Sequence, residues 1–340
     1  MTKPRIAIIG AGISGIILAR ELQEVAQVKI FEKSRGVGGR MSTRYVEDFA
    51  FDHGAQCFTA RTKSFQKFLQ PFLLSNDVAP WHGKVINIEN DGSISQRFWF
   101  ETHLVAAPNM NSLCKKLAVG LDISLNSEVK KLDRKQSDGW HLKSKADEDL
   151  GVFDLVISTA PPAQTKNLFH QYFTCQEIFM QPCFALMLGF KSKWDRDWIF
   201  AKVRNNPIKL IAVNSSKFGR NNDVTSLVIH SRDSWSRENL ERDQNQVQQI
   251  LLENFTQVSS IDYKQASYVS LHRWRYALID QTKREKFFNQ DLGLAATSDW
   301  STNSRIEDVW IAAINLVEKI KFVLSDDQLL KISNKIEIIS

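Results

Sequence analysis

Cysteine is scarce in this chain. Only four occur in 340 residues (Cys57, Cys114, Cys175 and Cys183), with no Cys-x-x-Cys pair and no adjoining histidine cluster. That sparseness excludes a disulfide framework and a structural zinc site, and no metal is expected. Long apolar runs are missing too, since none reaches the ~18 residues that a membrane span requires. The first apolar stretch, Ile6 to Ala19, superficially resembles the core of a signal peptide. It holds three glycines at motif spacing, however, and flows into charged sequence with no small-residue cleavage site. It reads as a buried strand followed by a helix, so a cytoplasmic protein is expected. Basic charge is not concentrated either: 44 Lys+Arg against 38 Asp+Glu leave +6, spread along the chain. Nucleic acid is therefore not an expected partner. An anionic cofactor or substrate explains the mild surplus as well as a solvated surface does. No internal repeat or low-complexity segment is visible.

What remains is the composition of a globular protein with a sizeable core, 43% apolar and 24% charged. The length suits two domains. The 21 Phe and 9 Trp suit a core and also a pocket for a flat ligand. Arg5 to Gly10 reads as a buried strand, Ile13 to Leu22 as a helix and Gln27 to Glu32 as a second strand, which together make a βαβ unit. Asn90-Asp91-Gly92 is a hairpin turn. A helix is expected over 111–121. Strands are expected over 125–132 and 139–144, joined by a Ser137-Asp138-Gly139 turn, and over 153–158, stopped by Ala160-Pro161-Pro162. From about Cys183 to Val269 the texture is strand-like, interrupted by one amphipathic helix near 237–254. A last strand over 291–296 and a helix over 306–322 follow.

Two loops carry chemistry. In Gly10-Ala11-Gly12-Ile13-Ser14-Gly15, Gly10 permits the tight strand-to-helix turn and Gly12 lets the backbone approach a pyrophosphate. Gly15 allows close helix–strand packing, and the helix N-terminus faces the phosphates. Glu32, at the end of the next strand, is placed to accept hydrogen bonds from ribose hydroxyls. This motif alone fits NAD as well as FAD. The second loop, Arg35-Gly36-Val37-Gly38-Gly39-Arg40, sets paired glycines and flanking arginines just beyond Glu32, and a plain NAD dehydrogenase has no use for it there. FAD is therefore the expected cofactor.

The stretch from Glu32 through Arg61, EKSRGVGGRMSTRYVEDFAFDHGAQCFTAR, resembles the FAD-binding region of the flavin amine-oxidase superfamily, and more narrowly that of the bacterial renalases. DLVISTAPP (154–162), SRDSWSRENL (231–240), SLHRWRYA (270–277) and LGLAATSDWSTNSRIEDVW (292–310) continue the resemblance in patches along nearly the whole chain. It implies an α/β fold of the amine-oxidase/PHBH-like kind. In that fold a discontinuous Rossmann-type FAD domain (1–60, 108–165 and 285–335) is joined to a substrate domain (61–107 and 166–284) with a mostly antiparallel sheet. It also implies an oxidase of 2- or 6-dihydro isomers of NAD(P)H. Hydride would pass to flavin N5, the product would be NAD(P)⁺, and O2 would reoxidise the flavin to give H2O2. A flavin amine or polyamine oxidase, or a non-catalytic FAD-binding sensor, are the alternatives.

The residues implied to hold FAD are Gly10, Gly12, Ile13, Ser14, Gly15, Glu32, Lys33, Arg35, Gly38, Gly39, Arg40, Met41, Gly54, Ala55, Gln56, Val129, Ala160, Asp299 and Ile306. Gln56 is also implied at the flavin's reactive edge, with Trp274 and Tyr276 walling the pocket and His272 or Arg273 offering a polar or cationic contact. Hydride loss from a neutral dihydropyridine needs alignment more than a strong base, and no catalytic dyad or triad is visible. The sequence departs from the family in its C-terminal motif. Ser298 and Asp308 stand where glycines are usual, and Ala312-Ala313 where Ser-Gly is usual. Asp308 would bring a carboxylate close to reduced flavin.

Overall fold

A computed structural model describes residues 3–135, 139–172, 178–279 and 287–337. Cys175, and Ser137 and Asp138 of the expected turn, lie outside the described residues. The protein is mixed α/β and divides into two compact units, Met1–Gly39 with Leu117–Ile178 and Gln281–Ser340, and Arg40–Lys116 with Phe179–Asp280.

The first unit is built on a six-stranded sheet in the order Phe287–Asn289, Leu294–Ala296, Leu155–Ser158, Arg5–Ile9, Gln27–Phe31, Asp122–Ser124. Every neighbouring pair is parallel except the first. Strands of a parallel sheet are covered on both faces, which is why Ile6, Ala7 and Ile8 form an uninterrupted buried run. Helix Ile13–Leu22 is buried over most of its length, and helix Ile306–Glu337 packs against it. The strand expected over 153–158 breaks at Asp154. There the Asp154 amide donates to the Arg5 carbonyl, 2.8 Å, and the Asp154 carboxylate accepts from the Arg5 amide, 2.7 Å. The strand expected from Leu125 begins only at Val129, because Asn126 takes φ 52° and its amide donates to the Ser34 carbonyl.

The second unit carries a seven-stranded sheet in the order Tyr268–Ile279, Met180–Phe190, Thr225–Ser231, Ile208–Val213, Trp198–Val203, Lys84–Ile88, Ile94–Arg97. All neighbours are antiparallel except Trp198–Val203 with Lys84–Ile88. One face is closed by helix Gln244–Ser259, whose Val247, Leu251 and Phe255 join Leu186, Ile211 and Ile229 in the core. The single helix expected over 237–254 is in fact two, Asp233–Glu238 and Gln244–Ser259. The Asp243 side chain starts the second by accepting from the Asn245 and Gln246 amides. Residues 40–60 belong to this unit: Phe49 and Phe51, in strand Phe49–Phe51, pack with Met187, Val224 and Val228.

On the sheet face opposite that helix, direct pairing lines up one residue per strand. The row runs Ser95, Asn87, Lys202, Leu210, His230, Ala185, His272. Residues paired directly across strands share a face, so this row lies along one face of the sheet.

Candidate functional site

In the first unit, strand Arg5–Ile9 ends at Gly10, which turns at φ +107°. A Cβ on Gly15 would lie 2.0 Å from the Gly10 carbonyl oxygen, so only glycine lets the helix start this close to the strand. A Cβ on Gly12 would meet nothing within 4 Å, which leaves open space at the helix N-terminus. Gly12 offers no side-chain cap, the first turn holds no acidic residue, and the Ser14 hydroxyl is buried without a partner. A terminus that exposes its dipole, is not capped by its own chain and orphans a buried hydroxyl fits a bound phosphate. Glu32 is buried, and its carboxylate accepts from the Ala11 amide at 2.7 Å and the Ser34 amide at 2.8 Å. Both bonds fix the acid beside the glycine turn. The second loop closes on the first: the Gly38 amide donates to the Ala11 carbonyl, 2.9 Å, and Gly12 and Gly38 form an isolated bridge.

Three other sequence-predicted residues of this unit follow the C-terminal ends of neighbouring parallel strands, on the same sheet edge as Gly10 and Glu32: Lys33 follows Gln27–Phe31, Ala160 follows Leu155–Ser158 and Asp299 follows Leu294–Ala296. Lys33 and Arg35 are exposed, and Val129 is buried at the start of strand Val129–Lys135. The Ala160 carbonyl accepts from the Trp300 indole at 3.0 Å. Asp299 is buried and Ile306 opens the long last helix. Ser298 sits at φ −168°, an extended conformation any residue adopts, and forms a reciprocal cap with Ser301. Asp308 is engaged by Arg305, Nε to Oδ2 2.7 Å and Nη2 to Oδ1 3.1 Å. Neither departure distorts its segment.

In the second unit, Arg40 donates to the Ala277 carbonyl, 3.0 Å, while Met41 is buried with its sulfur 3.8 Å from the Cys114 thiol. A Cβ on Gly54 would sit 1.9 Å from the Arg40 carbonyl oxygen, to which the Ala55 amide also donates. Gln56, implied at the flavin's reactive edge, has both ends of its amide bonded within this unit. Its Nε2 donates to the carbonyls of Asp52 (2.5 Å) and Gly54 (3.1 Å), and its Oε1 accepts from Lys217, 3.2 Å.

Lys217 and Asp52 escaped sequence reasoning. Both side chains are wholly inaccessible and bonded to each other at 3.0 Å, and Arg220 is bonded to the same carboxylate oxygen at 2.8 Å. Burial opposes the Asp52 charge, but Lys217 and Arg220 outweigh it and hold the carboxyl down to about 2. Burial draws the Lys217 amine down to about 8, with Asp52 resisting. The Asn214 amide oxygen, 2.8 Å away, completes the lysine's acceptors.

Beside Gln56 stands a ring cluster. His53 stacks on Trp274 at 5.3 Å, and His272 meets both edgewise at 4.8 and 4.4 Å. The Trp274 indole donates to the His53 carbonyl, 2.9 Å, and His230 Nε2 lies 3.3 Å from the same oxygen. Burial first of all pushes His53, His230 and His272 each down to about 4. The cluster is therefore uncharged at neutral pH. Tyr276 falls where the strand register slips, and among the described residues it makes no ring contact with the cluster. No group of three or more metal-ligating side chains occurs among the described residues, and none of their helices is long and apolar enough to cross a membrane.

A parallel sheet with a glycine-lined helix terminus and an acid on the second strand defines a dinucleotide-binding protein. Residues 8–72 match the NAD(P)-binding Rossmann-like domain, and residues 95–284 match the flavin containing amine oxidoreductase family. The chain belongs to that family, and FAD is its cofactor. It is 23% identical over 184 residues to polyamine oxidase 2 of Arabidopsis thaliana, a match covering 51% of this chain and about a third (34%) of that protein's length. It is 34% identical over 77 residues to a 4,4'-diapophytoene desaturase of Staphylococcus aureus (strain Newman), covering 19% of this chain and 15% of the desaturase. Its fold is similar to that of a candidate protoporphyrinogen oxidase of Exiguobacterium sp. 255-15, with a TM-score of 0.75 and 13% identity over 95% of this chain and 99% of the other. It is also similar to wild-type putrescine oxidase bound to putrescine, with a TM-score of 0.66 and 12% identity over 94% and 99%.

Proposed function

We propose that the protein oxidises 2- or 6-dihydro isomers of NAD(P)H to NAD(P)⁺. FAD supplies the two-electron acceptor, and O2 reoxidises it to give H2O2. The observation that carries this reading is the uncharged ring cluster. Oxidation of a dihydropyridine turns a neutral ring into a pyridinium cation. An indole face favours such a cation, and imidazoles held neutral at pH 7 do not repel it. Trp274 and His272 are assigned to the substrate ring, and Tyr276 to its outer wall. Gln56 is a positioning residue: with its amide bonded inside the protein, it fixes the 52–56 loop that carries His53. The glycine-lined helix terminus, with Ser14 and Glu32, is assigned to the ADP half of FAD. The remaining residues implied by resemblance, from Lys33 to Met41, Gly54, Ala55, Val129, Ala160, Asp299 and Ile306, are assigned to the rest of that cofactor.

Amine oxidation is the second reading, favoured by the likeness to a polyamine oxidase. A polyammonium substrate calls for carboxylates, whereas the strip of sheet bearing His230 and His272 has none, and Asp52 is consumed by two cations. The two readings separate when the FAD-loaded protein is mixed anaerobically with 2- and 6-dihydro-NAD, and separately with putrescine and spermidine. Bleaching of the flavin by the nucleotides and not the amines is expected. Bleaching by the amines alone overturns the proposal.

A further inference from the structure

We propose that Arg44 holds the phosphate next to the substrate's dihydropyridine ring, and so makes the enzyme prefer nicotinamide nucleotides to their ribosides. The inference rests on the reading above for the identity of the ring.

Strand Tyr268–Ile279 is the edge strand of the seven-stranded sheet, and its side chains alternate between two faces. Val269 and Leu271 pack into the core beneath helix Gln244–Ser259, whereas Tyr268 lies against Phe49 and Phe51 on the other face. Ser270 and His272 share that second face with Tyr268, and the His272 ring meets Trp274. Arg44 opens the short strand Arg44–Val46, which pairs with Phe49–Phe51, the strand whose Phe51 stacks on Tyr268. Its Nη1 donates to the Ser270 hydroxyl at 2.6 Å, one alternation along from His272.

This guanidinium is both reachable and unneutralised. Arg44, Ser270, His272 and Trp274 are all half-buried, so each keeps surface for a ligand to touch. Among the described residues Arg44 meets no carboxylate, and Ser270 is its one side-chain partner. The neighbouring charges are spent elsewhere. Arg273, on the opposite face, donates to the Leu240 carbonyl at 2.8 Å, and Asp52 is held by Lys217 and Arg220. After burial, the Arg44 charge is among the influences that keep His53 and His272 neutral. A free planar fork beside uncharged rings favours an anion, and its geometry suits the oxygens of a phosphate.

Spacing identifies the phosphate. Ser270 and His272 stand two residues apart on one strand, a separation of about 7 Å. In a nicotinamide mononucleotide roughly six single bonds of about 1.5 Å join the ring nitrogen to phosphorus, a span of about 6–7 Å. A ring on His272 and Trp274 therefore carries its own 5′-phosphate to the guanidinium at Ser270.

The test uses ligands that cannot reduce flavin. Nicotinamide mononucleotide and nicotinamide riboside are titrated into the FAD-loaded enzyme, with binding read from tryptophan fluorescence. The wild type is expected to bind the mononucleotide about tenfold more tightly, and the preference should shrink as salt rises. In Arg44→Gln the preference should fall below about threefold with riboside affinity unchanged. Arg44→Lys, which keeps the charge and gives up the fork, should retain part of it. Ser270→Ala cuts the same hydrogen bond but leaves the guanidinium, and should retain most of it. A wild type indifferent to the phosphate, or an Arg44→Gln variant with the preference intact, overturns the proposal. So does a loss in Ser270→Ala as large as in Arg44→Gln, since Arg44 would then act only by tying its strand to the sheet. A phosphate preference in an enzyme that dihydro-NAD cannot bleach sinks the oxidase reading and leaves the Arg44 subsite standing. Bleaching by dihydro-NAD without any phosphate preference does the reverse.

Discussion

Acidification from pH 7 to pH 5 should strip several kcal/mol of stability from the second unit. Burial holds His53 and His230 near pKa 4 against an ordinary 6.5. Between those values the unfolded chain binds protons that the folded chain refuses, so stability is full above pH 6.5 and falls as pH drops toward 4. At pH 5 a free imidazole is almost wholly protonated and a folded one about a tenth so, which integrates to about 2 kcal/mol per histidine. The pair thus gives about 4 kcal/mol, and His272, more open to solvent screening, adds less. Against a typical total of 5–15 kcal/mol this is a large fraction. Asp52 leaves the window clear: its folded-state carboxyl, near 2, contributes stability above the ordinary 3.8 that is lost only as pH falls toward 2. Urea unfolding at pH 7 and pH 5, followed by tryptophan fluorescence, should show a midpoint lower by about 1 M or more at an m near 3 kcal/mol/M. Midpoints within 0.2 M of one another (about a fifth of the expected shift), or NMR titration of these imidazoles near 6.5, would refute the reasoning.

Three substitutions probe the rest. Lys217→Met leaves the Gln56 oxygen unpaired in the interior, takes the shorter donor from Asn214 and leaves Arg220 alone on the Asp52 Oδ2, and should cost about 3 kcal/mol in chemical denaturation. Gly15→Ala drives a methyl into the Gly10 carbonyl and should cost about 3 kcal/mol, with flavin lost on gel filtration. Glu32→Gln turns one of two acceptors into a donor facing an amide. It should cost about 2 kcal/mol and lower the flavin-to-protein ratio, both read from the purified protein.

The βαβ opening was fully legible because its signals are local. Strand Arg5–Ile9 is apolar throughout its buried centre, Gly10 must turn at positive φ, and the helix follows at once. Boundaries failed where a distant partner decides them. Asp154 interrupts an apolar run because it reaches Arg5, and Asp243 restarts a helix that periodicity alone would have continued. Of the site, His272 and Trp274 are implied by the resemblance that SLHRWRYA carries, and their rings meet at 4.4 Å. Lys217 could not be read. A lysine in Ser-Ser-Lys-Phe reads as surface, and only the three-dimensional convergence of Asp52, Gln56 and Asn214 makes its burial tolerable.

The departures in the C-terminal motif bear on how far substitution at a glycine argues against cofactor binding. A glycine is irreplaceable where φ is positive or where a Cβ strikes backbone, and both tests can be applied to this segment. Ser298 is extended, so its side chain demands no strained backbone, and its hydroxyl takes part in the cap that begins the Asp299–Ser301 turn. Asp308 adds a carboxylate to the first turn of the last helix, but Arg305 three residues earlier neutralises it through a bidentate bond. Ala312 and Ala313 remain small and buried in the same helix. Gly10, by contrast, meets the first criterion with φ +107°, and Gly15 meets the second, since its Cβ would lie 2.0 Å from the Gly10 carbonyl oxygen. The chain has thus kept glycine where geometry requires it and changed it where a cap or an ion pair could stand in.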